Sequence, residues 1–191
     1  MSGLWAGPFG DAYTRRNATV GAGRERFWHG IIERYEIATV LEVGCNVGAN
    51  LRAIAATADA CGIDLNESAI RTLNAERPDI PAQVSDASSL PFADASFDLV
   101  FTMGVLIHVP PEMLELVTGE IVRCSRRYVL AGEYFSATPE VIPYRGEDRA
   151  LFRRDFGAFY SEGHAGLTQV EQGFLSADAG FDDITWWLFE K

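Results

Sequence analysis

The residues with the clearest chemical potential lie in a glycine-spaced turn after an apolar run. Residues 40–43 are apolar but for Glu42, and they lead into the pattern Glu42-x-Gly44-x-x-x-Gly48. Gly44 lets the backbone turn where a Cβ would clash, and Gly48 permits close approach of a ligand or of the sheet to the following helix. Ligands of open α/β sheets bind beyond the carboxyl ends of such strands. The turn therefore predicts a binding site.

Two aspartates continue this pattern at the ends of the next two predicted strands. Asp64 ends the segment Gly62-Ile63-Asp64-Leu65, about 20 residues after the turn, where a carboxylate can accept hydrogen bonds from ribose hydroxyls. Asp86 follows the third strand, where it could receive an adenine amino group. Either aspartate alone could instead be a helix cap or a turn former. The ordered set predicts a nucleoside pocket.

The glycine spacing separates this pocket from a dinucleotide site. The dinucleotide fingerprint places three glycines as G-x-G-x-x-G, which brings pyrophosphate to a helix N-terminus. The middle glycine is absent here, so the pattern lacks the close backbone approach that a pyrophosphate requires. A nucleotide-dependent oxidoreductase is the competing hypothesis, and the missing glycine argues against it.

The elements that position these residues are predicted from alternating apolar runs and helical stretches, which are typical of βαβ units and a parallel sheet. We predict five parallel strands and a terminal hairpin. The strands are expected at 39–43, 60–63, 83–85, 97–101, 127–131, 170–175 and 184–189. Helices are expected at 24–35, 47–57, 67–76, after Pro110, and at 148–160.

The bulk properties set limits on organisation and partners. A chain of 191 residues fits one domain. The net charge is −11 and no basic stripe is present, so we expect no nucleic-acid partner. We expect no membrane segment or signal peptide and a cytoplasmic location. The three cysteines are scattered, so neither a disulfide framework nor a metal site is expected.

Taken together, these motifs resemble those of class I S-adenosylmethionine-dependent methyltransferases. The resemblance rests on the turn, Asp64, Asp86 and the strand Phe97-Asp98-Leu99-Val100. It implies an enzyme with S-adenosylmethionine as cofactor and an α/β, Rossmann-like fold. That fold is a seven-stranded, mostly parallel sheet with an antiparallel last strand and helices on both faces.

A narrower resemblance spans nearly the whole chain and is to the methylases associated with pseudaminic acid biosynthesis in bacteria. It implies an acceptor that is a sugar or nonulosonic-acid-type metabolite of surface polysaccharide biosynthesis. Residues 169–182 depart from that family's pattern. The motifs that carry the resemblance are Trp5-x-Gly7-x-Phe9-Gly10-x-x-Tyr13-x-x-Arg16-Asn17, Gly104-Val105-Leu106-Ile107-His108, Glu133-Tyr134, Ile142-Pro143-Tyr144-Arg145-Gly146, Arg154-Asp155-Phe156 and Asp183-Ile184-Thr185-Trp186.

Other hypotheses stay open at this point. The acceptor could be another small metabolite, such as an amine or amino acid, or a protein. The chain could also be a non-catalytic S-adenosylmethionine-binding partner in a biosynthetic complex. We divide the chain into N-terminal lid and helices (1–36), cofactor-binding core (37–135), acceptor-side insertion (136–166) and C-terminal hairpin (167–191).

The predicted cofactor residues are those of the strand ends and their neighbours. The aromatic N-terminal segment is interpreted as a lid, with Tyr13 and Arg16 near the methionine carboxylate; the alternative is a helix packed on the sheet edge. The remaining cofactor residues are Glu42, Gly44, Cys45, Asn46, Gly48, Asn50, Asp64, Leu65, Asp86, Ala87 and Met103.

His108 and Glu133 are the predicted catalytic residues. His108 follows the fourth strand just past Gly104, and an imidazole titrates near neutral pH, so it can act as general base. The alternative is a histidine that caps the following helix or bonds backbone groups. Glu133 is expected to bind an acceptor hydroxyl or amine or to serve as an alternative base, unless it is a solvated strand-end charge.

The predicted acceptor-binding residues follow the fifth strand. An arginine here could hold an acceptor carboxylate by a bidentate pair, and a nonulosonic acid carries such a carboxylate. The alternative is a salt-bridge cluster at the surface. The residues are Tyr134, Tyr144, Arg145 and Arg154.

Overall fold

The computed structural model of the protein describes residues 2–16 and 23–191, with the side chains of Ser2, Tyr13, Arg15 and Arg16 left aside. In these ranges the strands are β1 Thr39–Val43, β2 Asp59–Asp64, β3 Ala82–Val84, β4 Phe97–Met103, β5 Ser125–Glu133, β6 Glu140–Tyr144, β7 Glu147–Arg153, β8 Thr168–Leu175 and β9 Ile184–Glu190. The helices are α1 Ser2–Trp5, α2 Pro8–Arg16, α3 Arg24–Arg34, α4 Ala49–Ile54, α5 Glu67–Glu76, α6 Leu114–Cys124 and α7 Phe156–Gly163. Short 3₁₀ turns span Leu106–His108, Pro111–Met113 and Ala177–Ala179.

Seven of the strands form one sheet in the order β3-β2-β1-β4-β5-β9-β8. Strands β1 to β5 are parallel, whereas β9 runs antiparallel to both β5 and β8. The predicted fold class, with its antiparallel last strand, is confirmed. The strand order reverses between β1 and β4, and this is the place where α/β sheets bind ligands.

Helices cover both faces of the sheet because neighbouring strand residues point to opposite sides. On β1, Leu41 packs with the side chains of α6 and α7, while Val40 packs with those of α3. On β4, Val100 and Leu99 divide in the same way. The two cores hold the central strands rigidly, so the strand ends have fixed positions.

A second, two-stranded sheet of β6 and β7 lies where the sequence predicted a long connection and a helix over 148–160. Tyr144 pairs with Glu147, and both intervening residues, Arg145 and Gly146, have positive φ angles of 53° and 90°. Two such residues make the tight turn that matches the twist of a hairpin. The helix begins only at Phe156, after Asp155 accepts a hydrogen bond from the Ala158 N–H at 2.9 Å.

Helix α4 is also shorter than the predicted helix over 47–57. Across the two described ranges, no helix combines the length and apolar character needed to cross a membrane.

Candidate active site

A cavity of about 970 Å³ opens at the carboxyl ends of the central strands. Trp5 of α1 and Gly10 and Thr14 of α2, which belong to the predicted lid, also line it. Among the predicted cofactor residues whose side chains are described, all but Gly48 line the cavity. The side chains of Tyr13 and Arg16, as well as Asn17, lie outside the described residues, so their predicted contacts stay predictions.

The turn after β1 is shaped by two glycines with different roles. Gly44 has a φ of +80°, and a Cβ there would come within 2.5 Å of Val105. Gly48 precedes α4 with a φ of +75°, and its Cβ would meet Leu73 of α5 at 2.7 Å. The close approach at Gly48 is therefore to a packed helix and not to the cavity, in contrast to the predicted cofactor contact.

The Asp64 carboxylate, at the end of β2, bonds the turn after β1 and the start of α5. Its Oδ2 accepts a hydrogen bond from the Asn46 N–H at 2.8 Å, and its Oδ1 accepts one from the Asn66 N–H at 2.8 Å. Burial raises the pKa of this carboxyl, and the two backbone donors oppose the increase. Each oxygen keeps a second lone pair, so the group can also accept hydrogen bonds from hydroxyls of a ligand in the cavity.

Asp86 lines the cavity and also forms a turn. Its Oδ1 accepts hydrogen bonds from the Ser88 N–H at 2.9 Å and from the Ser88 hydroxyl at 2.7 Å. The turn-forming alternative therefore describes part of its role. Its other carboxylate oxygen has no hydrogen-bond partner within residues 2–16 and 23–191 and can accept one from a ligand.

A polar chain on the cavity wall links three elements. The Asn50 amide donates to Glu42 Oε1 at 2.6 Å, and its oxygen accepts from Arg24 at 2.7 Å and from the Trp28 indole at 3.2 Å. Burial raises the pKa of Glu42 to about 8. Arg24 was not predicted as a site residue, because nothing in the sequence relates the start of α3 to the turn after β1.

Whether S-adenosylmethionine fits this wall can be judged from the buried polar atoms that have no hydrogen-bond partner. Glu42 Oε2, Asn46 Oδ1 and Arg24 Nε are buried and make no hydrogen bond within the described chain. Buried polar groups in proteins are rarely left without partners. Two acceptors and one donor fit a ligand with hydroxyl or ammonium donors and a carboxylate, and the amino-acid and nucleoside parts of the cofactor supply both.

His108 ends a 3₁₀ turn beside the cavity. Its Nδ1 lies 2.6 Å from the Ala150 carbonyl oxygen of β7, and since a carbonyl only accepts, Nδ1 carries the proton. Its Nε2 has no hydrogen-bond partner in the described residues and therefore offers a lone pair. Burial lowers the pKa of His108 to about 4, which keeps the ring neutral at pH 7 and limits its strength as a base.

Aromatic rings fix the orientation of His108. The Trp5 ring centroid lies 4.3 Å from that of His108, and the Tyr144 centroid lies 5.4 Å away. The lid and the β6–β7 hairpin thus meet at the imidazole.

Glu133 lies beneath the turn that carries His108 and does not line the cavity. Its Oε1 accepts from the N–H groups of Val105 at 3.3 Å and Leu106 at 3.1 Å, and its Oε2 accepts from Ile107 at 3.3 Å. Burial raises its pKa to about 7. The predicted contact with the acceptor is corrected, because the carboxylate is used to hold this turn.

The predicted acceptor residues separate into two groups. Tyr134, Tyr144 and Arg145 line the cavity. Arg154 does not; its guanidinium carbon stands 5.2 Å from the Phe159 ring centroid, and burial lowers its pKa. Arg154 therefore faces α7 and not the cavity, which corrects its predicted role.

Sequence reasoning missed several residues because they reach the cavity from distant segments. Asn66 caps α5 by accepting from the Ala69 N–H at 2.8 Å. Its amide also donates to the Trp5 carbonyl at 3.2 Å and to Asp11 at 3.0 Å. These bonds hold α1 and α2 over the cavity. Further missed lining residues are Arg24, Val109, Pro110, Met113, Leu151, Phe181 and Asp182.

Comparison with known proteins finds similarity to methyltransferases. Residues 40–127 match the family model described as "Methyltransferase domain". The chain is 30% identical over 152 residues to 24-methylenesterol C-methyltransferase 2 of Oryza sativa subsp. japonica, covering 75% of this chain and 41% of the relative. It is 29% identical over 152 residues to sterol 24-C-methyltransferase erg6 of Aspergillus fumigatus, covering 75% and 39%. The chain thus spans about two fifths of the length of these curated relatives.

Solved structures show the same fold. Magnesium protoporphyrin IX methyltransferase from Synechocystis PCC 6803 with bound S-adenosylmethionine has a TM-score of 0.71 at 14% identity, over 98% of this chain and 93% of that chain. The 1,6-didemethyltoxoflavin-N1-methyltransferase of Burkholderia thailandensis has a TM-score of 0.72 at 16% identity, over 97% and 91%. The chain therefore has the fold of these methyltransferases, and its residues 40–127 match a methyltransferase domain.

Proposed function

We propose that this protein transfers a methyl group from S-adenosylmethionine to a small-molecule acceptor whose reacting atom meets His108. The observation that carries the proposal is the neutral imidazole at the cavity, with Nδ1 anchored on Ala150 and Nε2 left as an acceptor. A general base needs this arrangement, since it must reach the proton that it removes.

The cofactor supplies an activated methyl group on a sulfonium, and the protein supplies position and exclusion of water. Asp64 and Asp86 are proposed to hold the nucleoside by its hydroxyls and amino group. Trp5, as part of the proposed lid, covers the imidazole side of the cavity. His108 Nε2 is proposed to take the acceptor's proton as its oxygen or nitrogen is methylated.

For the acceptor, we propose a sugar or nonulosonic-acid-type metabolite of polysaccharide biosynthesis. Tyr134, Tyr144 and Arg145 line the cavity, and a guanidinium can pair with the carboxylate of a sugar acid. The narrower sequence resemblance supports the same class. With this proposal go a cytoplasmic location and the absence of a nucleic-acid partner, which the net charge of −11 supports.

A second candidate is methylation of a flatter, more apolar metabolite. The wall beyond His108 is formed by Val109, Pro110, Met113, Val117 and Leu151, which offer dispersion contacts but no hydrogen-bonding side chains. The sterol, magnesium protoporphyrin and toxoflavin substrates in the names of the similar proteins are small molecules, which supports a small acceptor without selecting either candidate.

The test is methyl transfer from isotopically labelled S-adenosylmethionine to two acceptor panels, read by mass. One panel contains nonulosonic-acid and sugar-nucleotide intermediates, and the other contains planar aromatic hydroxyl and amine compounds. Labelled product from the first panel supports the sugar acid, and product from the second supports the apolar acceptor. Cofactor binding without turnover in either panel would favour a non-catalytic binding partner and contradict the proposed reaction.

A further inference from the structure

One arginine at the edge of the cavity has no acidic partner. Arg153 ends β7 and is partly buried, and its enclosed Nε makes no hydrogen bond. Within residues 2–16 and 23–191, no carboxylate forms an ion pair with its guanidinium, although the chain has 27 Asp and Glu residues against 16 Lys and Arg. A guanidinium carries five N–H donors, and buried polar groups are rarely left without partners. The described chain therefore leaves this cation a place for an anionic partner.

The strand register offers Arg153 a carboxylate that it does not use. Glu140 of β6 stands directly opposite Arg153, and opposite charges in that arrangement stabilise a sheet when they pair. The guanidinium lies instead against Tyr134, with its carbon 5.5 Å from the ring centroid. A stacked guanidinium contacts the ring through its flat face, and the N–H groups at its edge can still donate. Tyr134 therefore orients the cation without neutralising it.

Arg153 continues the wall of the cavity beyond Tyr134. Both Tyr134 and Leu151 line the cavity, and Leu151 lies two residues before Arg153 on β7. Side chains two residues apart on a strand point to the same face of the sheet. Burial raises the pKa of Tyr134, Asp182 adds to the increase and Arg153 opposes it. In the described chain Asp182 forms no ion pair with Arg153, so the positive charge persists at this end of the cavity.

Strand β7 sets the distance between Arg153 and the proposed base. His108 Nδ1 lies 2.6 Å from the carbonyl oxygen of Ala150, and Arg153 follows three residues later on the same strand. At about 3.3 Å per residue, the two positions on β7 are roughly 10 Å apart. Hydrogen bonds of about 3 Å at each end leave the length of one sugar-sized ring. A ligand that reaches both groups is therefore compact.

We infer that Arg153 binds an anionic group of the acceptor, a carboxylate or a phosphate, and so selects acceptors that carry such a group one ring away from the methylated atom. The inference rests on the proposed function, which places the methylated atom at His108. Carboxylates and phosphates both accept two parallel N–H bonds from one guanidinium. An apolar acceptor would leave Arg153 unpaired, so the inference favours the sugar-type candidate.

The experiment measures whether the protein prefers charged ligands to neutral ligands of nearly the same shape. The carboxylate pair is N-acetylneuraminic acid and its methyl ester, and the phosphate pair is glucose 6-phosphate and glucose. Dissociation constants are determined by ligand-observed NMR in about 0.15 M salt, which screens exposed charges, with S-adenosylhomocysteine present. The wild type should bind the charged member of at least one pair about tenfold more tightly than its neutral match. The pair with the larger preference identifies the anion.

Two arginine variants locate this preference on β7. Arg153→Met keeps an unbranched apolar stem without the charge and should reduce the preference to within about twofold. The matched control is Arg149→Met, because Arg149 is also two residues from Leu151 on the same strand but is exposed; it should keep the wild-type preference. If Arg153→Met does not fold, Arg153→Lys retains the charge without the planar fork and should keep only part of the preference.

The outcomes separate this inference from the proposed function. A wild type that prefers the charged member of neither pair, or a preference that persists in Arg153→Met, would overturn the inference. An equal loss of the preference in Arg149→Met would overturn it as well. Failure of both acceptor panels to give methylated product would instead contradict the proposed reaction, and the anion preference and its dependence on Arg153 would still be measured by binding.

Discussion

The two halves of the cavity are built in different ways. On the proposed cofactor side, two central carboxylates stand at strand ends: Asp64 is the last residue of β2, and Asp86 follows β3. On the proposed acceptor side, His108 is positioned by contacts with Trp5 and Ala150, which are distant from it in sequence. The sheet dictates the first arrangement, while the second depends on the packing of a lid, a turn and a hairpin. Changes on each side should therefore have separable effects on cofactor affinity and on turnover.

The largest difference between the effect on turnover and the effect on cofactor affinity is expected for His108→Ala. Removal of the base should slow methyl transfer by about 100-fold or more, while the affinity for S-adenosylhomocysteine changes little. Single-turnover rates with labelled donor and a calorimetric titration give the two quantities. His29→Ala is a suitable control, because His29 lies on α3 and its Nε2 is 3.1 Å from the Ala53 carbonyl oxygen, outside the described cavity lining. A near-normal rate for His108→Ala would reassign the imidazole to packing.

The cofactor side should respond to pH through Glu42. Its pKa of about 8 in the folded protein reflects burial first, opposed by Asn50 and Arg24 and increased by Asp64. A bound ammonium favours the carboxylate, so binding releases a proton, and affinity should rise from pH 6 to 8 by up to about tenfold per unit. Titrations of S-adenosylhomocysteine across this range measure the slope. Glu42→Gln should flatten it, and an unchanged slope in that variant would exclude Glu42 as the group responsible.

Glu42 and Glu133 should also influence stability in a predictable direction. Their folded-state pKa values, about 8 and about 7, lie above the ordinary value of 4.5. The folded state therefore holds protons that the unfolded state releases. Their contribution is full below pH 4.5 and is lost as pH rises through 7 and 8. Urea unfolding of the ligand-free protein should show less decline above pH 6 in the double variant Glu42→Gln, Glu133→Gln than in the wild type.

Glu133→Gln alone should affect the acceptor side more than the cofactor side. The new amide N–H₂ group would face a backbone N–H of the turn that carries His108, so one buried donor loses its partner. The free energy of unfolding should fall by about 1–3 kcal/mol, with turnover reduced by about tenfold at an unchanged affinity for S-adenosylhomocysteine. Parallel losses of affinity and turnover would show that Glu133 supports the whole cavity and not the His108 turn.

The smallest effect on cofactor affinity is expected when the contacts between Asn66 and the proposed lid are removed. Asn66→Ser keeps an oxygen that can cap α5 but lacks the amide that bonds Trp5 and Asp11. Cofactor affinity should fall by about fivefold, the value of one hydrogen bond. Amide hydrogen exchange should become faster in α1 while α5 stays protected. Asp11→Ala removes one partner of the same amide and should produce a smaller change.

The same contrast explains which features the sequence could predict. Local patterns were sufficient for the parallel strands and for Gly44, Asp64 and Asp86, because strand ends and turns leave residue signals. The hairpin was missed because Arg145 must adopt a positive φ that its residue type rarely takes. Glu133 could not be located, since its hydrogen bonds reach a turn about 30 residues away that only the folded sheet brings near. Arg24 could not be predicted from the sequence either, because only the folded chain brings the start of α3 to the cavity.

The central claim is that the ends of the first three strands hold the nucleoside of S-adenosylmethionine. The most direct measurement is a titration of S-adenosylhomocysteine, and in parallel of NAD, into the wild type and the Asp64→Ala variant. The control variant is Asp59→Ala, which changes an exposed residue at the opposite end of β2. We predict saturable binding of S-adenosylhomocysteine, weakened by about 1–3 kcal/mol in Asp64→Ala and unaltered in Asp59→Ala, with weak or no binding of NAD. Unchanged affinity in Asp64→Ala, or tighter binding of NAD by the wild type, would contradict the claim.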